Sequence, residues 1–196
     1  MRGEKMSRFY DIGKELFSTP VYPGDPAPSK TAFMEIEKGA DCNLTILSFG
    51  SHNGTHLDAP KHFCKDKHGV DQIPLEKCMG DCKVVRMEGT IGAGEMKDVL
   101  ADHTRKLLIK GDILLTPESV QVCAEANLDL IGVEGQTVGG PGTQKEVHQI
   151  LLGAEVVIVE GLVLSEVEEG TYFLAAQPIK MADLDGSPVR PVLIEK

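Results

Sequence analysis

The sequence predicts a mixed α/β domain on three features: strand and helix patterns alternate through the second half, helix starts carry capping residues, and one β-branched run has the length of a buried strand. Cys42–Phe49 reads as a strand, followed by a shorter one at Lys83–Met87 and another at Leu107–Ile109. Thr116 then opens a helix as its N-cap, with Pro117 at the first helical position, and the helix runs to about Ala126. Leu130–Val133 follows as a strand. The stretch from Thr143 to Glu146 has a capping-box pattern and opens a second helix that Gly153 would stop. Glu155–Glu160 is then a buried strand ending in a carboxylate, and Tyr172–Ala176 and Val192–Ile194 are further strands.

The 196 residues fit one domain, taken as residues 1–196, with 1–7 expected to be flexible. A hydrophobic content of 41% with 26% charged residues is ordinary for a globular chain. Lys and Arg number 20 against 30 Asp and Glu, a net charge of −10. That balance argues against nucleic acid, because no basic stripe is present to neutralise phosphates. No run of eighteen apolar residues suggests a membrane span, and the charged start from Met1 to Ser7 lacks the apolar core of a secretion signal. Five cysteines, Cys42, Cys64, Cys78, Cys82 and Cys123, fit no disulfide framework and point to a reducing cytoplasm. Cys64 lies close enough to His62 to approach a site there, although a small packed side chain is the simpler reading.

Residues 51–63 are the most informative part of the chain. His52, His56, Asp58 and His62 fall within eleven residues, and imidazole and carboxylate are the usual ligands of zinc and its neighbours. All four positions are even, so on an extended strand they share a face. A straight strand would hold His52 and His62 on the order of 33 Å apart, so the chain must bend if they converge. Gly54 permits unusual backbone angles, and Pro60 biases Ala59 away from helix. Two further residues are candidates. His148 shares a helical face with Leu151 and Leu152, and Glu160 ends a β-branched run. Read alone, His148 is equally a core histidine, and Glu160 equally a strand-end carboxylate facing water.

The run from His52 to Phe63 resembles the signature of the cyclase-like metal-dependent hydrolase family, whose best-known members are bacterial kynurenine formamidases: His-x-Gly-Thr/Ala-His-x-Asp-x-Pro-x-His-Phe/Tyr. Every position is filled. Thr19–Asp25 and Asp185–Arg190 resemble the family's opening and closing segments. The resemblance implies a compact swivelling β/β/α fold, two divalent ions per chain (Zn2+, with Mn2+ as the other choice), a small-molecule amide substrate and a homodimer or homotetramer. It implies that His52, His56 and Asp58 hold one ion. Asp58, His148 and Glu160 would hold the second, His148 and Glu160 having the family's spacing and Glu160–Leu162 its motif. His62 would be the proton donor and acceptor, and Tyr22 would line the substrate pocket. His68 and His103 match nothing in the family and read as surface residues. The implied reaction is cleavage of an aryl formamide such as N-formylkynurenine to amine and formate. The chain departs from the formamidases at Gly132–Thr137 and at Gln149, which replaces a histidine. The departure motivates a second reading, ring opening of an isatin-type cyclic amide. The small aromatic content, 5%, motivates a third, a metal- or ligand-binding protein without catalysis.

Overall fold

The computed structural model describes residues 7–195, so the expectation for residues 1–6 lies outside the described residues. In chain order the strands are β1 (Phe9–Asp11), β2 (Ser29–Met34), β3 (Leu44–Ser48), β4 (His56–Asp58), β5 (Met79–Arg86), β6 (Gly89–Ile91), β7 (Lys106–Lys110), β8 (Ile113–Leu115), β9 (Leu130–Val133), β10 (Val157–Glu160), β11 (Gly170–Ala175), β12 (Gly186–Pro188) and β13 (Val192–Ile194). The helices are α1 (Leu75–Cys78), α2 (Ala93–Val99), α3 (Pro117–Glu125) and α4 (Gln144–Gly153).

Nine of these strands form one sheet, in the order β1-β13-β11-β5-β7-β9-β10-β4-β12. Its middle, β5, β7, β9 and β10, is parallel, as strands joined by helical crossovers must be. Antiparallel strands extend it at both sides. Side chains alternate across this sheet into two cores. Leu108, Leu130, Val157 and Val159 enter one, with Leu57, Ile12 and Leu174. Leu107, Ile109, Ile131 and Ile158 enter the other, where Met96, Val120, Leu151 and Leu152 of the helices cover them. Both faces of the middle strands are thus buried, which explains their continuous apolar runs.

The second-half strands and α3 fall where the sequence places them, within two residues at each end where they differ. Thr116 caps α3, its hydroxyl accepting from the Ser119 amide at 3.2 Å. The capping box expected at Thr143 does not form. Thr143 has helical backbone angles and no capping bond, and its hydroxyl donates to the Gly140 carbonyl at 3.3 Å. The strand expected from Glu155 starts at Val157, because Glu155 sits in the left-handed region at φ 62° and closes α4. The amides of Val156 and Glu155 donate to the Leu151 and Leu152 carbonyls at 2.9 and 3.1 Å, a Schellman ending usually given to glycine. Lys83–Met87 is the end of a longer strand, since β5 pairs along the whole of β11. The strand expected at Cys42–Phe49 is β3, and it stands outside the large sheet, paired only with β2 in a two-stranded ribbon.

Candidate metal centre

The segment before β4 turns sharply, as the histidine spacing requires. Gly54 adopts φ 68° and Gly161 φ 75°, and their backbones approach so closely that a Cβ on Gly161 would lie 2.9 Å from the Gly54 carbonyl oxygen. Thr55 locks the crossing: its hydroxyl donates to the Gly161 carbonyl at 2.6 Å and accepts from the Lys14 amide at 2.8 Å. On β4, His56 and Asp58 share one face while Leu57 enters the core between them. β10 pairs with β4 in a register that puts Glu160 opposite His56. His148, in the second turn of α4, packs inward beside Leu151 and Leu152. Elements far apart in sequence thereby bring the predicted ligand residues into one cluster.

Three groups could each hold a metal ion: His52, His56 and Asp58; Asp58, His148 and Glu160; and His52, His62 and Asp185, with the ligand atoms of each within 4.8 Å of one another. Asp58 belongs to the first two. His56 directs Nδ1 to the Gly54 carbonyl at 3.1 Å, which leaves Nε2 3.4 Å from Asp58 Oδ1 and 3.3 Å from Glu160 Oε2. His148 does the same with the Gln144 carbonyl at 2.7 Å, leaving Nε2 3.2 Å from Glu160 Oε1 and 3.7 Å from Asp58 Oδ2. An outward nitrogen fixed by a backbone carbonyl, with the inward one turned among the carboxylates, is the usual arrangement of metal-bound histidine.

The cluster fits divalent cations. Asp58 is fully buried, and its Oδ2 has no hydrogen-bond partner among the described residues, nor has His52 Nε2. A buried carboxylate with an unsatisfied oxygen is costly unless a cation meets it. Oxygen and imidazole nitrogen donors suit zinc and manganese alike. Without an ion the groups pair with one another instead. Burial opposes charge on His52, but the carboxylates of Asp185 and Asp58 outweigh it and lift its pKa to about 10. His56 and His148 are raised likewise, burial again being outweighed by Glu160 and Asp58. The Asp58 carboxyl is held below its usual range: burial would raise it, and the surrounding histidines more than reverse that.

His62 differs from these. It comes from the short turn Pro60–His62 and stacks on His52 with ring centroids 3.9 Å apart. Burial, the largest cause, holds its pKa below the ordinary value; Asp58 opposes this, and His52 and His148 reinforce it. A neutral imidazole next to the cluster can accept a proton. A cavity of about 250 Å³ opens over His52, His56, His62, His148 and Glu160. The segment Thr19–Tyr22 and Asp25 also line it. Tyr22 lines it, donating its hydroxyl to Gln144 Oε1 at 3.0 Å, and the Gln136 side chain donates to the Pro20 carbonyl at 2.6 Å. Of the departing segment Gly132–Thr137, Gln136 is the residue that lines the cavity. Glu134 turns inward, accepting from the Gly111 and Leu164 amides at 2.8 Å each.

One expectation needs correction. His68 is a half-buried residue, with Nε2 2.6 Å from Glu155 Oε2, whereas His103 is exposed as expected. Cys64 follows its simpler reading: it belongs to none of the ligand groups and sits partly buried beside the Gln149 carbonyl at 3.9 Å. Asp185, the first residue of the family-like closing segment, was given no place at the site by the sequence, yet it is grouped with His52 and His62. Pairing of β12 with β4 brings it there, and no local spacing could signal that.

The cyclase family ("Putative cyclase") matches residues 10–162. Among solved structures, "The Structure Of Potential Metal-Dependent Hydrolase With Cyclase Activity" superposes with a TM-score of 0.82 at 25% identity, covering 97% of this chain and 98% of the other. A "predicted metal-dependent hydrolase from Bacillus stearothermophilus" gives 0.82 at 23%, covering 97% and 99%. Isatin hydrolase A from Labrenzia aggregata, bound to benzyl benzoate, gives 0.83 at 21%, covering 96% and 93%.

Proposed function

The chain belongs to the cyclase family, and on that premise we propose that it is a metal-dependent hydrolase of carbon–nitrogen bonds, acting on an aryl formamide of the N-formylkynurenine kind. The observation that carries the reading is the juxtaposition of two ligand groups sharing Asp58 with a neutral histidine, His62, on the wall of one cavity. Two divalent ions held by His52, His56, Asp58, His148 and Glu160 would lower the pKa of water and polarise the scissile carbonyl. The protein supplies the rest. His62 takes the proton of the attacking water and returns it to the leaving nitrogen, without which an amide does not break. Tyr22 and Phe63 give the cavity aromatic lining for an aryl group, beside the segment Thr19–Tyr22.

A second reading, ring opening of an isatin-type cyclic amide, uses the same machinery. It is favoured by Gln136, which stands in the departing segment and faces the cavity. An isatin hydrolase is among the structural neighbours. Purified protein reconstituted with Zn2+ or Mn2+ should be assayed on N-formylkynurenine and on isatin. Faster cleavage of the formamide supports the first reading, and faster ring opening transfers the assignment to the second. Ion binding with no turnover of either amide, or of any ester, would leave a binding protein and overturn both.

A further inference from the structure

His52 is the exception among the candidate ligands. His56 and His148 fix their outward nitrogens to backbone carbonyls. His52 turns Nδ1 to Asp58 Oδ1 at 2.9 Å, so its outward nitrogen is Nε2, and the acceptor nearest to it is Asp185 Oδ2 at 3.5 Å. The imidazole also lies directly on the strand that carries Asp185. A Cβ added to Gly186 would sit 2.4, 2.8 and 2.9 Å from His52 Cε1, Nε2 and Nδ1. Gly186 lies in β12 opposite Asp58, outside the left-handed region, so the ring and not the backbone conformation excludes a side chain there. Asp185 is itself anchored: its Oδ1 accepts from Ser51 Oγ at 3.0 Å, and its carbonyl accepts from the Ala59 amide at 2.9 Å.

We propose that Asp185 and Gly186 form a seat that fixes the position and the tautomer of His52. Gly186 supplies the flat surface that admits the ring. Nε2 has no hydrogen-bond partner among the described residues, and the Asp185 carboxylate, 3.5 Å away, would close on its proton and so leave Nδ1, the nitrogen on the Asp58 side, as the electron-pair donor. Asp185 is a positioning residue that acts through His52. A carboxylate behind a metal-bound imidazole is a recurrent device, and its loss costs about 10–100-fold in metal affinity. The metal half of this inference rests on the proposed metal centre; the contact itself does not.

Two substitutions test it. Asp185→Asn keeps an oxygen for Ser51 but turns an amide N–H towards Nε2, which favours the tautomer with the proton on Nδ1. Gly186→Ala pushes the ring off its seat. Chelator competition with Zn2+ should show Asp185→Asn weakened about 10–100-fold at one ion and unchanged at the other. A Co2+-loaded sample should shift the absorption of that one ion alone. Gly186→Ala should lose one ion of two. In chelator-treated protein, Gly186→Ala should lower Tm by roughly 3–10 °C, and by less than a third of that in a His52→Ala background. Wild-type affinity and occupancy in either variant overturns the part given to that residue. An equal Tm loss in both backgrounds overturns the contact. If the wild type binds no ion, the metal centre fails, while the thermal comparison still judges the seat.

Discussion

At the scale of single residues, the cluster separates groups that pair with charge from one that stays neutral. His52, His56 and His148 each lie within 3.3 Å of a carboxylate oxygen, whereas His62 is 3.9 Å from Asp185 Oδ2 and stacks on the His52 ring. The separation predicts two kinds of loss. His62→Ala should keep its metal and lose roughly 10²–10⁴-fold in turnover, the usual scale of proton transfer. Asp58→Ala should empty at least one ion position and abolish turnover, because Asp58 stands in two of the groups. Metal content and rate measured on both variants decide this. Metal loss in His62→Ala equal to that in Asp58→Ala would make His62 a ligand. The ion-free protein should also carry a pH signature. His52, lifted from 6.5 to about 10, binds its proton more tightly when folded. Its contribution to stability is therefore complete below about pH 6.5 and disappears as the pH rises towards 10. Bound ions displace that proton, so affinity should rise with pH. Thermal melts with and without chelator should show Tm falling between pH 7 and 10 only with chelator. A flat Tm in chelator would contradict this account of His52.

At the scale of elements, local signals and tertiary placement part company at two threonines. Thr116 and Thr143 each precede a helix with a plausible capping sequence, and only Thr116 caps. Thr143 is already wound into the turn from Gly140, so its hydroxyl is spent on that carbonyl. Thr116→Ala should cost about 1 kcal/mol, the typical worth of an N-cap, and Thr143→Ala clearly less. Urea unfolding of both variants checks the difference, and equal losses would contradict it. The same distinction governs the candidate site. The run from His52 to His62 is readable because its ligand types are dense and local. His148 and Glu160 become members of the cluster only through α4 packing on the sheet and through the register of β10 on β4. Asp185 was missed for the same reason, since β12 reaches the site as an edge strand from the far end of the chain. Glu155 broke the expected strand because a charged residue stands where helix endings usually carry glycine, held there by Lys67 and His68 at 2.7 and 2.6 Å.

At the scale of the whole molecule, the continuous apolar runs made the middle of the large sheet legible, while the β2–β3 ribbon broke that pattern. Its strands are exposed almost throughout, and Phe33, Ile46 and Leu47 are 65%, 55% and 52% exposed. An isolated two-stranded hairpin is marginal in water, and exposed apolar patches mark interfaces. A second copy of the chain is the expected cover. Sedimentation should give a dimer or tetramer, and Ile46→Lys with Leu47→Lys should shift it towards monomer. A monomer in the wild type would contradict the expectation. No helix among the described residues is long and apolar enough to cross a membrane.

The central claim is that the buried carboxylates and histidines are a binuclear metal centre. Elemental analysis of the pure protein, reconstituted with Zn2+ or Mn2+ and freed of excess ion, tests it most directly. The account predicts a value approaching two divalent ions per chain. Less than about a tenth of an equivalent after reconstitution would contradict it.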